Sequence, residues 1–244
     1  MKYPIFPYRI FPLGDTALTV DFGNMIDAAI NKEVIQRFNQ LLQQPVPGMI
    51  EAIPAYSSLT VYYNVMELKN RISAGTTIFE WMKQQIEQRL ALPGPEETII
   101  DREVSIPVCY EDEMAADIRQ LAAAKNMTIE KLIAIHTATK YKVYMLGFIP
   151  GFAYMGEVDE AIAMPRKPQP KTVPAGAVGI AGKQTGVYPL SSPGGWHIIG
   201  QTPVTLFKAE RKEPALLRAG DTIQFFAINK KEFERIHATE ALKH

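Results

Sequence analysis

The sequence predicts an α+β chain in two parts: a small N-terminal α/β domain over residues 1–95 and a β-rich domain, barrel or sandwich, over residues 96–244. Three observations predict it. Helical apolar stripes alternate with short extended runs in the first third of the chain. Two prolines and a glycine crowd the stretch Leu92-Pro93-Gly94-Pro95-Glu96-Glu97, which no regular element tolerates and which reads as a linker. From Tyr141 onward the chain breaks into short strand-like pieces divided by glycine and proline, with no long helical stripe.

The elements follow in order. Ile10 to Phe22 is apolar but interrupted at Leu13-Gly14-Asp15, predicting two strands around a turn. Ile30, Val34, Phe38, Leu41 and Leu42 recur at helical spacing from Ile26 to Gln44, and Pro45-Val46-Pro47-Gly48 ends that helix. Glu51–Tyr56 and Leu59–Tyr63 are expected to pair as strands. Thr77 with Glu80 forms a capping box before the stripe Ile78, Met82, Ile86 and Leu90. The second part opens on a strand-rich stretch, Thr98 to Val108. A helix over Glu113–Ala124 comes next, then one capped by Thr128 that carries Leu132, Ile133 and His136. Tyr141–Leu146 is strand-like. Arg218-Ala219-Gly220-Asp221 is a turn, and Thr222–Ile228 closes as a strand.

Composition narrows the function classes. Among 244 residues, 47% are hydrophobic and 21% charged, so the chain is an ordinary globular one. Lys+Arg and Asp+Glu both number 26, which argues against a nucleic-acid partner. No apolar run approaches the ~20 residues of a membrane helix, and the proline-broken N-terminus does not resemble a secretory signal. A single cysteine, Cys109, permits no internal disulfide and no cysteine-based zinc site. A cytoplasmic location fits, with Cys109 as a packed strand residue.

Most chemical motifs are absent. No pair among the four histidines has metal-ligand spacing, so no metal site is expected. Gly182-Lys183 is followed by Gln184 and lacks the upstream glycine of a phosphate loop. Ser191-Ser192 has no nucleophile-elbow context. Chemistry concentrates instead between Gly147 and Pro203. Phe152, Tyr154, Tyr188 and Trp196 can wall a pocket, and Arg166, Lys167 and Lys171 can hold a phosphate or carboxylate. Glycines such as Gly194 and Gly195 let backbone N–H groups approach a ligand closely. The same composition also suits barrel corners, a filled core and a solvated cationic loop.

Three blocks carry a resemblance: Gly147-Phe148-Ile149-Pro150-Gly151-Phe152-Ala153-Tyr154-Met155-Gly156, the run Val173 to Pro189, and Pro193-Gly194-Gly195-Trp196 through Gly200-Gln201-Thr202-Pro203. On these the chain resembles the family of the 5-oxoprolinase B subunit, also described as the KipI or allophanate hydrolase subunit 1 family. Glu51-Ala52-Ile53-Pro54 and Leu132-Ile133 with His136 are weaker matches. Ala153 and Ala177 stand where the family usually has proline and serine, and Lys171 where arginine is common. The resemblance implies a small α/β domain followed by a cyclophilin-like β-barrel. It implies a tight complex with a C subunit, plus a functional partnership with an A subunit, the isolated chain being inactive. Together these convert 5-oxoproline to glutamate while hydrolysing ATP with Mg²⁺, at a site on or shared with the partner.

Joined to the residue reading, the resemblance gives a pocket at the barrel mouth. Phe152, Tyr154, Lys167, Gln184, Tyr188, Gly194, Gly195 and Trp196 would bind substrate there, Arg166 and Lys171 would supply positive charge, and His136 would carry a proton or lie buried on its helix. Because His197 follows Trp196, one of the two is expected to face inward. Two other roles stay open: inhibition of a sensor histidine kinase, as in KipI, and membership of a urea- or allophanate-processing enzyme.

Overall fold

The computed structural model describes residues 6–72, 75–92 and 102–241. The chain divides into two compact units, Met1–Ile100 and Asp101–His244. Beyond Leu92 the linker lies outside the described residues, as does the start of the Thr98–Val108 stretch.

In the first unit, β1 (Arg9–Pro12) and β2 (Ala17–Asp21) flank the expected turn. Helix α1 (Ala28–Gln43) follows, capped by Asp27, whose carboxylate accepts from Ala29 N and Ile30 N at 2.8 and 2.9 Å. Strands β3 (Met49–Pro54) and β4 (Ser58–Tyr63) then pair antiparallel, giving the sheet order β1-β2-β4-β3. A short helix α2 (Val65–Lys69), which the sequence reading omits, is capped by Asn64. Helix α3 (Ile78–Ala91) carries the complete Thr77–Glu80 capping box. Leu18, Val20, Leu59 and Val61 bury against Val34, Leu41, Met82 and Ile86 of the helices, as strand alternation allows.

The second unit is built on a closed seven-strand barrel. Its strands are β5 (Glu103–Cys109), β6 (Lys140–Leu146), β7 (Ala153–Gly156), β9 (Ala177–Ala181), β10 (Gln184–Val187), β12 (His197–Gln201) and β13 (Thr222–Ile228). A separate two-stranded ribbon pairs β8 (Lys171–Val173) with β11 (Ser192–Gly194). The order round the barrel is β10-β7-β6-β13-β5-β12-β9. Gly182, at φ +60°, makes the tight turn between β9 and β10. The interior is filled by Ile106, Val143, Met155, Ile180, Ile199 and Phe225, so the barrel encloses a packed core. Cys109 is buried in β5, as a packed strand residue should be.

Helix α4 (Ile118–Ala124) is shorter than the expected Glu113–Ala124. The Asp117 N–H donates to Ile198 O of β12 at 2.8 Å, so the preceding residues form turns instead. Helix α5 (Ile129–Ala138) starts at its Thr128 cap as expected. A final helix, α6 (Lys230–Ala241), goes beyond the sequence reading; Asn229 caps it by accepting from Glu232 N at 2.9 Å.

Candidate functional site

The barrel wall β7-β10-β9-β12 is apolar on both faces. Ala153, Met155, Val178, Ile180 and Val187 point into the barrel core. Their alternating neighbours Tyr154, Ala177, Ala181 and Tyr188 join Phe152, Val173, Trp196 and Ile198 in a second cluster, on the outer face. Gly186 provides the floor. A Cβ there would lie 2.9 Å from Ala153 O and 3.1 Å from the Trp196 ring. The Phe152 ring lies 4.8, 5.1 and 5.4 Å from those of Tyr154, Tyr188 and Trp196, each edge-to-face. Such contacts fix ring positions at about 0.5–1.5 kcal/mol apiece.

A cation lies beside this platform. His197 Nε2 donates to Pro165 O at 2.9 Å, and Lys167 N donates to Gly195 O at 2.8 Å. The segment bearing Arg166 is thereby pinned along the chain that leads into β12. A Cβ on Gly195 would lie 2.6 Å from Arg166 Nε, so the guanidinium stem crosses a glycine because only a glycine leaves it room. Burial raises the pKa of both Tyr154 and Tyr188, and the Arg166 charge opposes the rise at each. Arg166 is exposed and makes no ion pair among the described residues. Lys171, equally exposed and unpaired among them, faces Gly194 across the ribbon. Gln184 is half-buried and by alternation shares the outer face with Gly186 and Tyr188.

Other expected site residues are placed differently. Lys167 is neutralised: its Nζ donates to Asp117 Oδ2 at 2.6 Å, and the same oxygen accepts from Ile198 N at 2.7 Å. Gly194 makes room for a side chain, since a Cβ there would lie 2.7 Å from the Tyr188 hydroxyl. Trp196 and His197 are both buried, because Trp196 precedes β12 and packs in the outer cluster while His197 turns to Pro165. The aromatic residues expected to wall a pocket at the barrel mouth lie on the outer wall of the barrel, whose interior is filled.

His136 lies inside the barrel, away from the cations. It touches Thr185 of β10, Tyr141 of β6, Phe225 of β13 and Tyr110 just after β5, groups drawn from opposite sides of a closed ring. Thr185 Oγ1 donates to Gly179 O at 3.0 Å, so His136 Nε2 donates to Thr185 Oγ1 at 3.2 Å. Nδ1 then accepts from the Tyr110 hydroxyl at 2.8 Å. Every polar atom in this chain of hydrogen bonds is satisfied with the ring neutral. Burial pushes the His136 pKa down to about 3, and the ring lies buried on its helix.

Two residues not among the expected site residues contact this group. Asp117 anchors the Lys167 segment; it sits at the start of α4 but makes no side-chain cap hydrogen bond, and nothing local in the sequence marks its pairing. Phe148, 60% exposed, stands edge-on to Phe152 at 5.6 Å and Tyr188 at 6.4 Å. Its signal was the unusual Gly-Phe-Ile-Pro-Gly-Phe run itself.

Residues 8–217 match the carboxyltransferase domain, subdomain C and D, model. The chain is 44% identical to the 5-oxoprolinase B subunit of Bacillus subtilis, over 93% of this chain and 95% of that one. The chain belongs to this family. It is also 36% identical to the 5-oxoprolinase B subunit of Escherichia coli O157:H7, over 89% of this chain and 94% of that one. Among solved structures it matches TTHA0988 with a TM-score of 0.73 at 34% identity, covering 88% of this chain and 40% of that one. This member of the carboxyltransferase subdomain C and D family thus spans well under half of that solved chain. The Kluyveromyces lactis urea carboxylase shares the fold, with a TM-score of 0.73 at 17% identity over 96% of this chain and 23% of that one.

Proposed function

We propose that this chain serves as the B subunit of an ATP-dependent 5-oxoprolinase, contributing the outer-face platform to the site that opens 5-oxoproline to glutamate. The observation that carries the reading is Arg166, whose guanidinium has no ion-pair partner among the described residues and crosses Gly195, its charge acting on Tyr154 and Tyr188 of the ring cluster. It is supported by the likeness to 5-oxoprolinase B subunits over nearly the whole length of each chain. Sitting in water, a lone surface arginine does little. Beside apolar walls its field is less screened, and its planar fork suits a carboxylate.

In this reading Arg166 holds the substrate carboxylate and so fixes the ring against Tyr154 and Tyr188. Lys171, a point charge on the ribbon edge, faces the lactam oxygen, where negative charge builds as the amide loses its resonance. Trp196 and Phe152 exclude water from one side of the ring. Gln184 is assigned to the same face as a polar contact. The two compact units are proposed as domains meeting within the linker, with 1–95 and 96–244 as their extents.

No nucleotide or metal site is assigned to this chain. The described residues include no group of three or more His, Cys, Asp or Glu able to hold a cation, and the sequence has no phosphate loop. We place ATP and Mg²⁺ on, or shared with, a C subunit that binds this chain tightly, the further functional partner being an A subunit. No helix among the described residues is long and apolar enough to cross a membrane, and a cytoplasmic location is part of the proposal.

The test is ATP hydrolysis by the reconstituted complex with and without 5-oxoproline. Hydrolysis should depend on 5-oxoproline, and the Arg166→Ala/Lys171→Ala double variant should lose it while remaining folded. Full activity in that folded double variant overturns the site.

A further inference from the structure

Phe148 carries a conformation that its own burial does not explain. Ile149 N donates to Gly147 O at 2.9 Å, so residues 147–149 close a γ-turn, and the central Phe148 has φ +69°. This is the rare, strained hand of the γ-turn. For a bulky L-residue such a φ is an outlier, because Cβ crowds the following carbonyl. The loop around it forces the conformation. Gly147 N donates to Phe152 O at 3.1 Å and Phe152 N to Ile149 O at 3.0 Å. Gly151, at φ +80°, fits where a Cβ would lie 2.6 Å from Phe207 Cβ. A phenylalanine held in strain to fill a core would be buried. This one is 60% exposed. The strain instead stands the ring up beside Phe152 and Tyr188, the latter within the field of Arg166.

We propose that Phe148 is a specificity-determining residue, its ring laid flat against the planar five-membered lactam whose carboxylate Arg166 holds. The inference rests on the functional reading above and adds a selection rule. A planar cyclic amide presents a face to an aromatic ring; the open chain of the product does not. Phe148 therefore favours the closed ring over glutamate and over open-chain amides of similar charge.

The experiment uses the purified complex of this chain with its partner. Phe148→Ala and Phe148→Leu should raise KM for 5-oxoproline at least tenfold with kcat changed less than threefold, and should raise the Ki of glutamate far less. Phe148→Tyr and Phe148→Trp should restore KM to within threefold. Phe148→Gly should match Phe148→Ala in KM while its Tm holds or rises, because glycine relieves the positive-φ strain. A fall of several degrees in Tm for Phe148→Gly would mark a packing role and overturn the proposal. Loss of co-elution with the partner in Phe148→Ala would mark an assembly contact and overturn it equally. An unchanged KM in Phe148→Ala, with Arg166→Ala impaired, removes the stacking role and leaves the site standing. Unchanged kinetics in both variants remove the site as well.

Discussion

The inner and outer faces of one barrel wall use similar residues to opposite ends. Inside, His136 is stacked on Phe225 at 4.8 Å and linked through Tyr110, Thr185 and Gly179 in a hydrogen-bonded chain with nothing left over. Outside, a comparable set of rings stands beside Arg166, which has no ion-pair partner among the described residues, and beside Phe148, which is strained and exposed. A saturated polar group in a core is held in place by what it satisfies. An unsaturated one at a surface is available to a ligand. Residue type therefore separates the two faces less well than the tally of partners around each residue.

Breaking the inner face should give the largest change in stability. Replacing His136 with Ala leaves the Tyr110 hydroxyl without its acceptor, removes the donor to Thr185 Oγ1 and opens a cavity among the rings. A loss of about 3–5 kcal/mol is expected, read from denaturant midpoints. Breaking the outer face should give the largest change in activity. Arg166→Ala should lower kcat/KM for 5-oxoproline about a hundredfold, or ~2.7 kcal/mol, with Tm hardly moved because the side chain is exposed.

Two smaller effects sharpen the contrast. Gly195→Ala would set a Cβ 2.6 Å from Arg166 Nε, the mobile end of a long side chain, so the arginine shifts and the fold does not. Roughly a tenfold rise in KM is expected. Gly194→Ala meets the buried Tyr188 ring instead, so its cost should appear in Tm. Acid should act through the inner face. The His136 pKa is about 3 when folded against an ordinary value of 6.5. The unfolded chain takes up this proton before the folded one does, so the contribution is intact above the unfolded value and declines as pH falls from about 6 toward 3. The slope should approach ~1.4 kcal/mol per pH unit, and His136→Phe should flatten it.

The elements and the barrel were largely legible, because capping residues, helical stripes and turn punctuation are local signals. Thr77–Glu80 and Thr128 mark their helices unaided. Helix α6 was missed although Asn229 and Glu232 carried a cap-like spacing, and α4 was overextended because a β12 carbonyl far along the chain claims the Asp117 N–H. The aromatic and cationic site residues were legible as a group, but the faces they occupy were not. Only the register of β7, β9 and β10 shows that Tyr154 and Tyr188 point out while Thr185 points in toward His136. The pairing of Lys167 with Asp117 spans fifty positions and leaves no local trace.

The most direct measurement is 5-oxoproline-dependent ATP hydrolysis by two reconstituted complexes, one carrying Arg166→Ala and one carrying His136→Gln, both well below their melting temperatures. An outer-face site predicts that the His136→Gln complex retains most of its activity per folded molecule while the Arg166→Ala complex keeps about a hundredth. The reverse order, with the interior histidine indispensable and the surface arginine dispensable, would contradict it.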